Sequence, residues 1–501
     1  MNKEETKMKS LQTYTFWFVV GSQDLYGEDV LKTVDAHTKE MVNEWNKDAT
    51  IPCEIVWKSV VRNQEEIYQT LTAANEDDSC AGVITWMHTF SPSKMWIRGF
   101  QALRKPLLHL NTQFNRDIPW KDIDMDFMNL NQSAHGDREH GYIIARMRLQ
   151  QKVISGHWQD ETMRNRMSKW MRAAVGAYES SNVKVMRISD NMRDVAVTDG
   201  DKVEAAIAFG WCVDHYGVGD IIRYVEAVSE AEIDAQMKEY ESLYDMDTDK
   251  IEAVRYQARE EIAIEKFMQE HGGYNAFHTN FQDLQQLRQL PGLAAQNLMR
   301  KGYGFAGEGD WKTAALCRIM KMMTADKSGG TAFMEDYTYH FDLDNGMNMG
   351  AHMLEVCPSV AAERPKIKVV PLGIGDREDP ARLTFKAKEG PAVLATIIDM
   401  GDRFRMIVND VICQKQEHDM PKLPVAGVLW KPLPNLETSA EAWMYAGGAH
   451  HSVISYDLDA EVLQDFAEIM NMEFIHIGAD TTIPALRKEL TWNDLIWKLK
   501  K

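Results

Sequence analysis

Four short stretches of this 501-residue chain place acids and imidazoles on backbone that glycines or strand alternation would hold in place. Glu308 lies in Gly304-Phe305-Ala306-Gly307-Glu308-Gly309-Asp310-Trp311. The glycines allow close approach of backbone to a ligand and set the acid on a tight turn, the plain alternative being a surface glutamate on a flexible loop. Asp310 suits the N-cap of a helix over 311–322. Glu335 lies in Gly329-Gly330-Thr331-Ala332-Phe333-Met334-Glu335-Asp336-Tyr337, which alternates as a strand. An acid among such neighbours either faces water from an edge or, if buried, must be paired or bound to a metal. His352 stands in Gly350-Ala351-His352-Met353-Leu354-Glu355, and His450-His451 follow Ala446-Gly447-Gly448-Ala449. A lone histidine in an apolar strand is more often a hydrogen-bonded core residue than a ligand. Two glutamates and two histidines brought together would suit a divalent metal with mixed oxygen and imidazole ligands. Mn2+, Co2+ or Mg2+ with open positions fits that set better than structural Zn2+.

Other suggestive motifs fail on their context. Gly302-Tyr303-Gly304-Phe305-Ala306-Gly307 matches a dinucleotide loop, but the residues before it read as helix where a strand is required. Asp122-Ile123-Asp124-Met125-Asp126 opens like a calcium loop, yet Phe127 and Ser133 occupy the positions that need Gly and Glu. Zinc-protease, serine-hydrolase and P-loop motifs are absent from the sequence.

The elements that must position these groups follow from hydrophobic patterning. Strand-like runs at 15–20, 53–57, 81–86, 105–110 and 153–154 alternate with helical stretches at 29–45 and 64–75. That predicts a parallel sheet covered on both faces. Ligands of such sheets sit at the carboxyl ends of the strands, where Gln23 and the segment 88–91 fall. A second α/β segment begins with a strand over 183–189, followed by helices from about 202 and over 230–243, 250–269 and 284–300. The last third carries strands over 382–387, 393–400 and 403–413 joined by short connections, which predicts antiparallel pairing. The expected architecture is an α/β N-terminal domain (1–183), an α/β central domain (184–330) and a β-rich C-terminal domain (331–501).

Composition limits the partners. Lys and Arg number 56 against 75 Asp and Glu, a net charge of −19, which disfavours binding along a nucleic-acid backbone. Six cysteines without a C-x-x-C pair fit reduced cytosolic thiols. There is no 18-residue apolar run for a membrane span, and the Lys/Glu-rich start has no signal-peptide core. Residues 1–11 are expected to form a frayed tail.

Long stretches of the chain resemble the L-arabinose isomerase family. They include WFVVGSQDLYG from Trp17, WMHTFSPSKMWIRG from Trp86, MDFMNLNQSAHGDRE from Met125, DNMRDVAVTDGDKV from Asp190, QLPGLAAQNLMRKGYGFAGEGDWKTAAL from Gln289, GGTAFMEDYTYHF from Gly329, HMLEVCPS from His352 and AGGAHHSV from Ala446. The resemblance implies a cytoplasmic aldose–ketose isomerase that interconverts L-arabinose and L-ribulose, with D-galactose to D-tagatose as a slower side reaction. It implies one Mn2+ per subunit, replaceable by Co2+ or Mg2+, on Glu308, Glu335, His352 and His451, with the two glutamates also catalytic. It implies substrate contacts from Gln23, Leu25, Phe90, His135, Met192, Phe281 and Ile374, to which the mechanism adds His450. The implied fold is fucose-isomerase-like in its first two domains, with a C-terminal antiparallel β-barrel-like domain. The implied assembly is a homohexamer whose sites are completed by a neighbour's N-terminal domain. One departure stands in the first motif, where the family pattern GSQHLYG reads Gly21-Ser22-Gln23-Asp24-Leu25-Tyr26-Gly27.

Overall fold

Residues whose side chains are buried on both strand faces can only sit in a sheet covered on both sides. The computed structural model, which describes residues 10–284 and 286–500, places the first such runs in one sheet. Its strands are β1 (Thr15–Gly21), β2 (Glu54–Val61), β3 (Cys80–Met87), β4 (Leu107–Asn111) and β5 (Lys152–Ser155). The order is β2-β1-β3-β4-β5 and the pairings are all parallel. All eight residues of β3 are buried. Phe16 packs edge-on against Trp170, and Phe18 against Trp45. Helix 133–147 lies near this sheet, and its predecessor Met125–Leu130 is capped by Asp124, whose carboxylate accepts from Phe127 N. That capping role accounts for Asp124, the middle aspartate of the calcium-like run. The expected frayed tail lies outside the described residues up to 9, but it does not extend to Leu11, which is fully buried.

Two of this unit's buried imidazoles, His88 and His140, are shifted by their burial. Burial, with the His37 ring adding to it, holds His88 down at about 3, and burial likewise holds His140 well below the ordinary range. Both are neutral when folded, whereas the unfolded chain takes up their protons near pH 6.5. Folding is therefore weakened as pH falls below about 6.5, by up to about 1.4 kcal/mol per pH unit for each group. Urea midpoints should drop between pH 7 and pH 5, and His140→Gln should flatten the drop. An unchanged pH dependence in that variant would refute the assignment.

The second unit holds the rest of the chain from Glu179. Its parallel sheet has the order β10-β9-β6-β7, built from β6 (Lys184–Ile188), β7 (Cys212–Tyr216), β9 (Ala276–His278) and β10 (Gly304–Ala306). Between them in sequence, the two-residue β8 (Asp245–Met246) joins a separate sheet. Chain direction reverses its side of the sheet at β6 and β9, so the loops after these strands open a crevice. Helix Trp311–Met323 leaves β10 with all thirteen residues buried. A Cβ on Gly304 would stand 2.2 Å from the Ala314 carbonyl oxygen, so this close strand–helix contact requires glycine.

The C-terminal strands are β11 (Thr331–His340), β12 (Met347–Ala351), β13 (Lys366–Val369), β14 (Ala381–Thr384), β15 (Gly390–Asp399), β16 (Phe404–Gln414), β17 (Gly427–Pro432), β18 (His451–Ser455) and β19 (Glu473–Ile477). Antiparallel pairings run β15-β18-β11-β12-β17-β16 and return from β16 to β15, closing a six-stranded barrel. The predicted antiparallel β-barrel is present. It carries one addition, β19, which pairs parallel with β16 and makes the sheet mixed.

Two element expectations are corrected. The helix expected over 284–300 (residue 285 lies outside the described residues) is confined to Leu293–Arg300. Pro291-Gly292 explains the late start, since the residue before proline avoids helical backbone. The strand expected over 382–387 is Ala381–Thr384, and it pairs with β13, which pairs with β8, outside the barrel. Among the described residues no helix is long and apolar enough to cross a membrane, and the six cysteines form no disulfide.

Candidate functional site

Three neighbouring barrel strands bring the C-terminal candidates to one level. Glu335 on β11 stands opposite His451 on β18 and opposite Ala351 on β12, and His352 is the next residue after Ala351. Strand alternation puts Phe333 on the face of Glu335, and its ring packs against His352 at 4.9 Å and His451 at 5.1 Å between centroids. Glu308 reaches the same place from β10, two residues beyond its carboxyl end. Its backbone is left-handed, φ 57°, and Gly309 follows at 86°. A left-handed non-glycine residue costs about 1 kcal/mol or more and persists only where neighbours over-determine it.

The ligand-capable atoms fall into two triplets, Glu308 with His352 and His451, and Glu335 with His450 and His451, the atoms of each within 4.8 Å of one another. His451 belongs to both. The imidazoles are oriented by carboxylates behind them. His352 Nδ1 donates to Glu355, and His451 Nδ1 donates to Asp310 Oδ2 at 3.2 Å. In the neutral imidazole each bond leaves Nε2 as the nitrogen with a lone pair for a cation. His451 Nε2 is buried without a hydrogen-bond partner and faces Glu308 Oε2 at 3.9 Å. The donor set therefore suits a divalent cation, since an unmatched buried nitrogen beside carboxylates would otherwise carry a desolvation cost.

The local charges agree. A hydrogen bond from His450 Nε2, at 3.3 Å, is the main factor that lowers the Glu308 carboxyl. Burial raises Glu335, against partial relief from His352 and His450. Burial disfavours a charged His352, yet Glu355, Glu335 and Glu308 bring its pKa to about 9. The three carboxylates around His352 make this a place of negative potential, which favours a cation. Asp310 is buried too, and Lys312, His451 and Thr313 overcome the desolvation and hold it well below the usual carboxylate range. It also caps the helix after β10, accepting from Thr313 N at 3.2 Å. The sequence reading had found only that capping role. Its hold on His451, and that of Glu355 on His352, were missed. For Glu355 the available signal was an acid three residues from His352, whereas nothing local in the sequence joins Asp310 to His451.

The substrate-contact candidates divide between the units. In the first, Gln23 Nε2 donates to the Phe90 carbonyl at 3.0 Å, and Phe90 stacks on His135 at 4.4 Å. Leu25 is 82% exposed beside Asp24, whose carboxylate pairs with Arg62 at 3.2 Å. These residues gather beyond β1 and β3. In the second unit, Met192 N donates to the Glu308 carbonyl at 3.1 Å, and Phe281 stacks on His352 at 5.8 Å. Ile374 is on the exposed loop before β14, whose neighbouring Gly375 lies against the Phe281 carbonyl.

Acids and imidazoles from barrel strands that meet Glu308 beyond the carboxyl end of a parallel strand have the make-up of an α/β enzyme's site. Comparison with known proteins gives the particular family. Models of the L-arabinose isomerase N-terminal, central and C-terminal domains match residues 10–182, 184–326 and 330–473. An L-arabinose isomerase of Geobacillus kaustophilus is 57% identical over 497 residues, covering 98% of this chain and all of that protein. One from Anoxybacillus flavithermus is 57% identical over 500 residues, with 99% of each chain covered. One from Clostridium beijerinckii is 54% identical over 492 residues, with 98% of this chain and 100% of that one covered. The chain belongs to the L-arabinose isomerase family, enzymes that interconvert L-arabinose and L-ribulose.

Proposed function

We propose that the isomerisation takes place at Glu308, Glu335, His352 and His451, which hold one divalent cation per chain. Mn2+ is the proposed ion, with Co2+ or Mg2+ as substitutes. The observation that carries this reading is the buried, unpartnered His451 Nε2 beside the Glu308 carboxylate. When bound, the cation supplies electrostatic stabilisation of the negative charge that develops on oxygen as a carbon-bound proton leaves.

The chain's own groups manage the protons. Converting the aldose to the ketose takes a proton from C2 and delivers one to C1, while a proton passes from O2 to O1. Glu308 and Glu335 are the two carboxylates available to remove and return these protons. His450, which donates to Glu308, and His135 orient sugar hydroxyls. Phe333 forms an apolar wall that keeps water from the imidazoles. Met192, Phe281 and Ile374 line the sugar from the same chain. Gln23, Leu25, Phe90 and His135 do so from a neighbouring copy in a homohexamer. The proposed setting is the cytoplasm, and D-galactose is the proposed slower substrate, giving D-tagatose.

The test is ketose formation from L-arabinose by chelator-stripped protein, with and without added Mn2+. Ketose formed only with Mn2+ supports the proposed centre. Equal formation without it would overturn the cation assignment while leaving the reaction.

A further inference from the structure

We infer that Asn191 is a positioning residue for the reaction: it clamps the Glu308-Gly309 turn and so aims the Glu308 carboxylate. The inference rests on the reading of Glu308 as a cation ligand given above.

The turn has a conformation that its sequence alone does not favour. Glu308 has φ 57°, in the left-handed region that side-chain-bearing residues rarely enter, and its position must be imposed from outside. Three hydrogen bonds from two neighbouring loops do this. Met192 N donates to the Glu308 carbonyl at 3.1 Å, Gly309 N donates to the Thr279 carbonyl at 2.9 Å, and Asn191 Nδ2 donates to the Gly309 carbonyl at 2.9 Å. Of these donors only Asn191 uses a side chain, so it is the one that substitution can remove. Its other Nδ2 bond goes to the Thr198 carbonyl, and its Oδ1 accepts from the buried Arg187 guanidinium at 2.9 Å. The amide is thus fixed at both ends before it reaches the turn. Contact is close: a Cβ on Gly309 would lie 2.4 Å from Asn191 Cα, so the two loops meet backbone to backbone. Arg187 lies on β6 and Thr279 just after β9, the two strands at which the sheet changes direction. The clamp couples the crevice of the parallel sheet to the one ligand that this sheet contributes, while the other three come from the barrel.

Loss of the clamp should free Glu308 to leave the left-handed region and swing its carboxylate away from His352 and His451. Asn191→Ala should weaken Mn2+ binding to the chelator-stripped chain about ten- to a hundredfold, the range seen when a group supporting a ligand is removed. kcat should fall more than KM rises. Asn191→Asp keeps an acceptor for Arg187 but cannot donate to Gly309, and it should behave like the alanine variant.

The deciding experiment is calorimetric Mn2+ titration of four stripped proteins: the unaltered chain, Asn191→Ala, Glu308→Gln and the double variant. Action through Glu308 predicts that Asn191→Ala weakens binding in the unaltered background and adds little once Glu308 is replaced. An equal weakening in both backgrounds would assign Asn191 a general structural role and overturn the inference. So would full Mn2+ affinity in Asn191→Asp, which would locate the effect in the Arg187 contact. If Glu308→Gln alone leaves Mn2+ affinity and turnover unchanged, it is the ligand reading of Glu308 that fails.

Discussion

Glu308→Gln and Glu335→Gln are each expected to lower kcat on L-arabinose by about ten-thousandfold, with the fold intact. A positioned acid or base contributes roughly 10^2 to 10^4 in rate. Each substitution also removes a charged ligand, so the upper end applies. The amide has nearly the shape of the carboxylate, and neither side chain supports a helix or strand by its charge. Glu335 is partly buried at a cost to its charged form, and its neutral replacement relieves that cost. Far-ultraviolet circular dichroism and urea midpoints should therefore stay close to those of the unaltered chain. Turnover within tenfold of the original in either variant would remove that residue from the chemistry.

Asp310→Ala should damage both stability and the site. Asp310 and Lys312 are each about 1% exposed and stand 3.6 Å apart. Deleting one partner of a buried ion pair leaves a charge without compensation and costs roughly 3–5 kcal/mol. The Lys312 ammonium keeps hydrogen bonds to the Val197 and Asp199 carbonyls, which place the cost at the lower end of that range. The helix also loses its N-cap, a further contribution of about 1 kcal/mol. Urea unfolding reads these effects. Asp310→Asn restores the helix cap but not the counter-charge to Lys312, so it recovers only the capping part of the stability loss. Its amide can still cap the helix, but it has one acceptor oxygen where the carboxylate has two. If its NH2 turns towards His451 Nδ1, the imidazole proton moves to Nε2 and blocks the lone pair. This variant should lose Mn2+ affinity out of proportion to its stability. Parallel losses in the two variants would reduce Asp310 to a structural residue.

Parts of this were legible one residue at a time. Apolar runs without alternation announced parallel strands, and the short connection 400–403 announced the antiparallel β15–β16 pair, because local backbone geometry allows few alternatives. Asp310 announced a helix start for the same local reason. Apolar composition predicts a helix over 284–300, but Pro291-Gly292 holds the backbone out of the helix until Leu293. The short connection 388–391 predicts that the strand over 382–387 pairs with the one after it, but β14 pairs with β13, because composition does not say which partner a strand takes.

The sequence by itself determined the family, through long ordered stretches that few other chains could share, and it determined the residue types from which the site is built. Register and closure were decided by the tertiary structure. Glu335 and His451 are 116 positions apart in sequence, yet they face each other because β11 and β18 pair antiparallel in one particular register. A slip of one residue would turn Glu335 to the other face. Which histidine nitrogen is free was likewise decided by Asp310 and Glu355, whose placement behind the rings depends on packing. The left-handed turn at Glu308 depends on loops that follow β6 and β9. Hydrophobic pattern encodes which face of an element is buried, but only the assembled core fixes what that face meets.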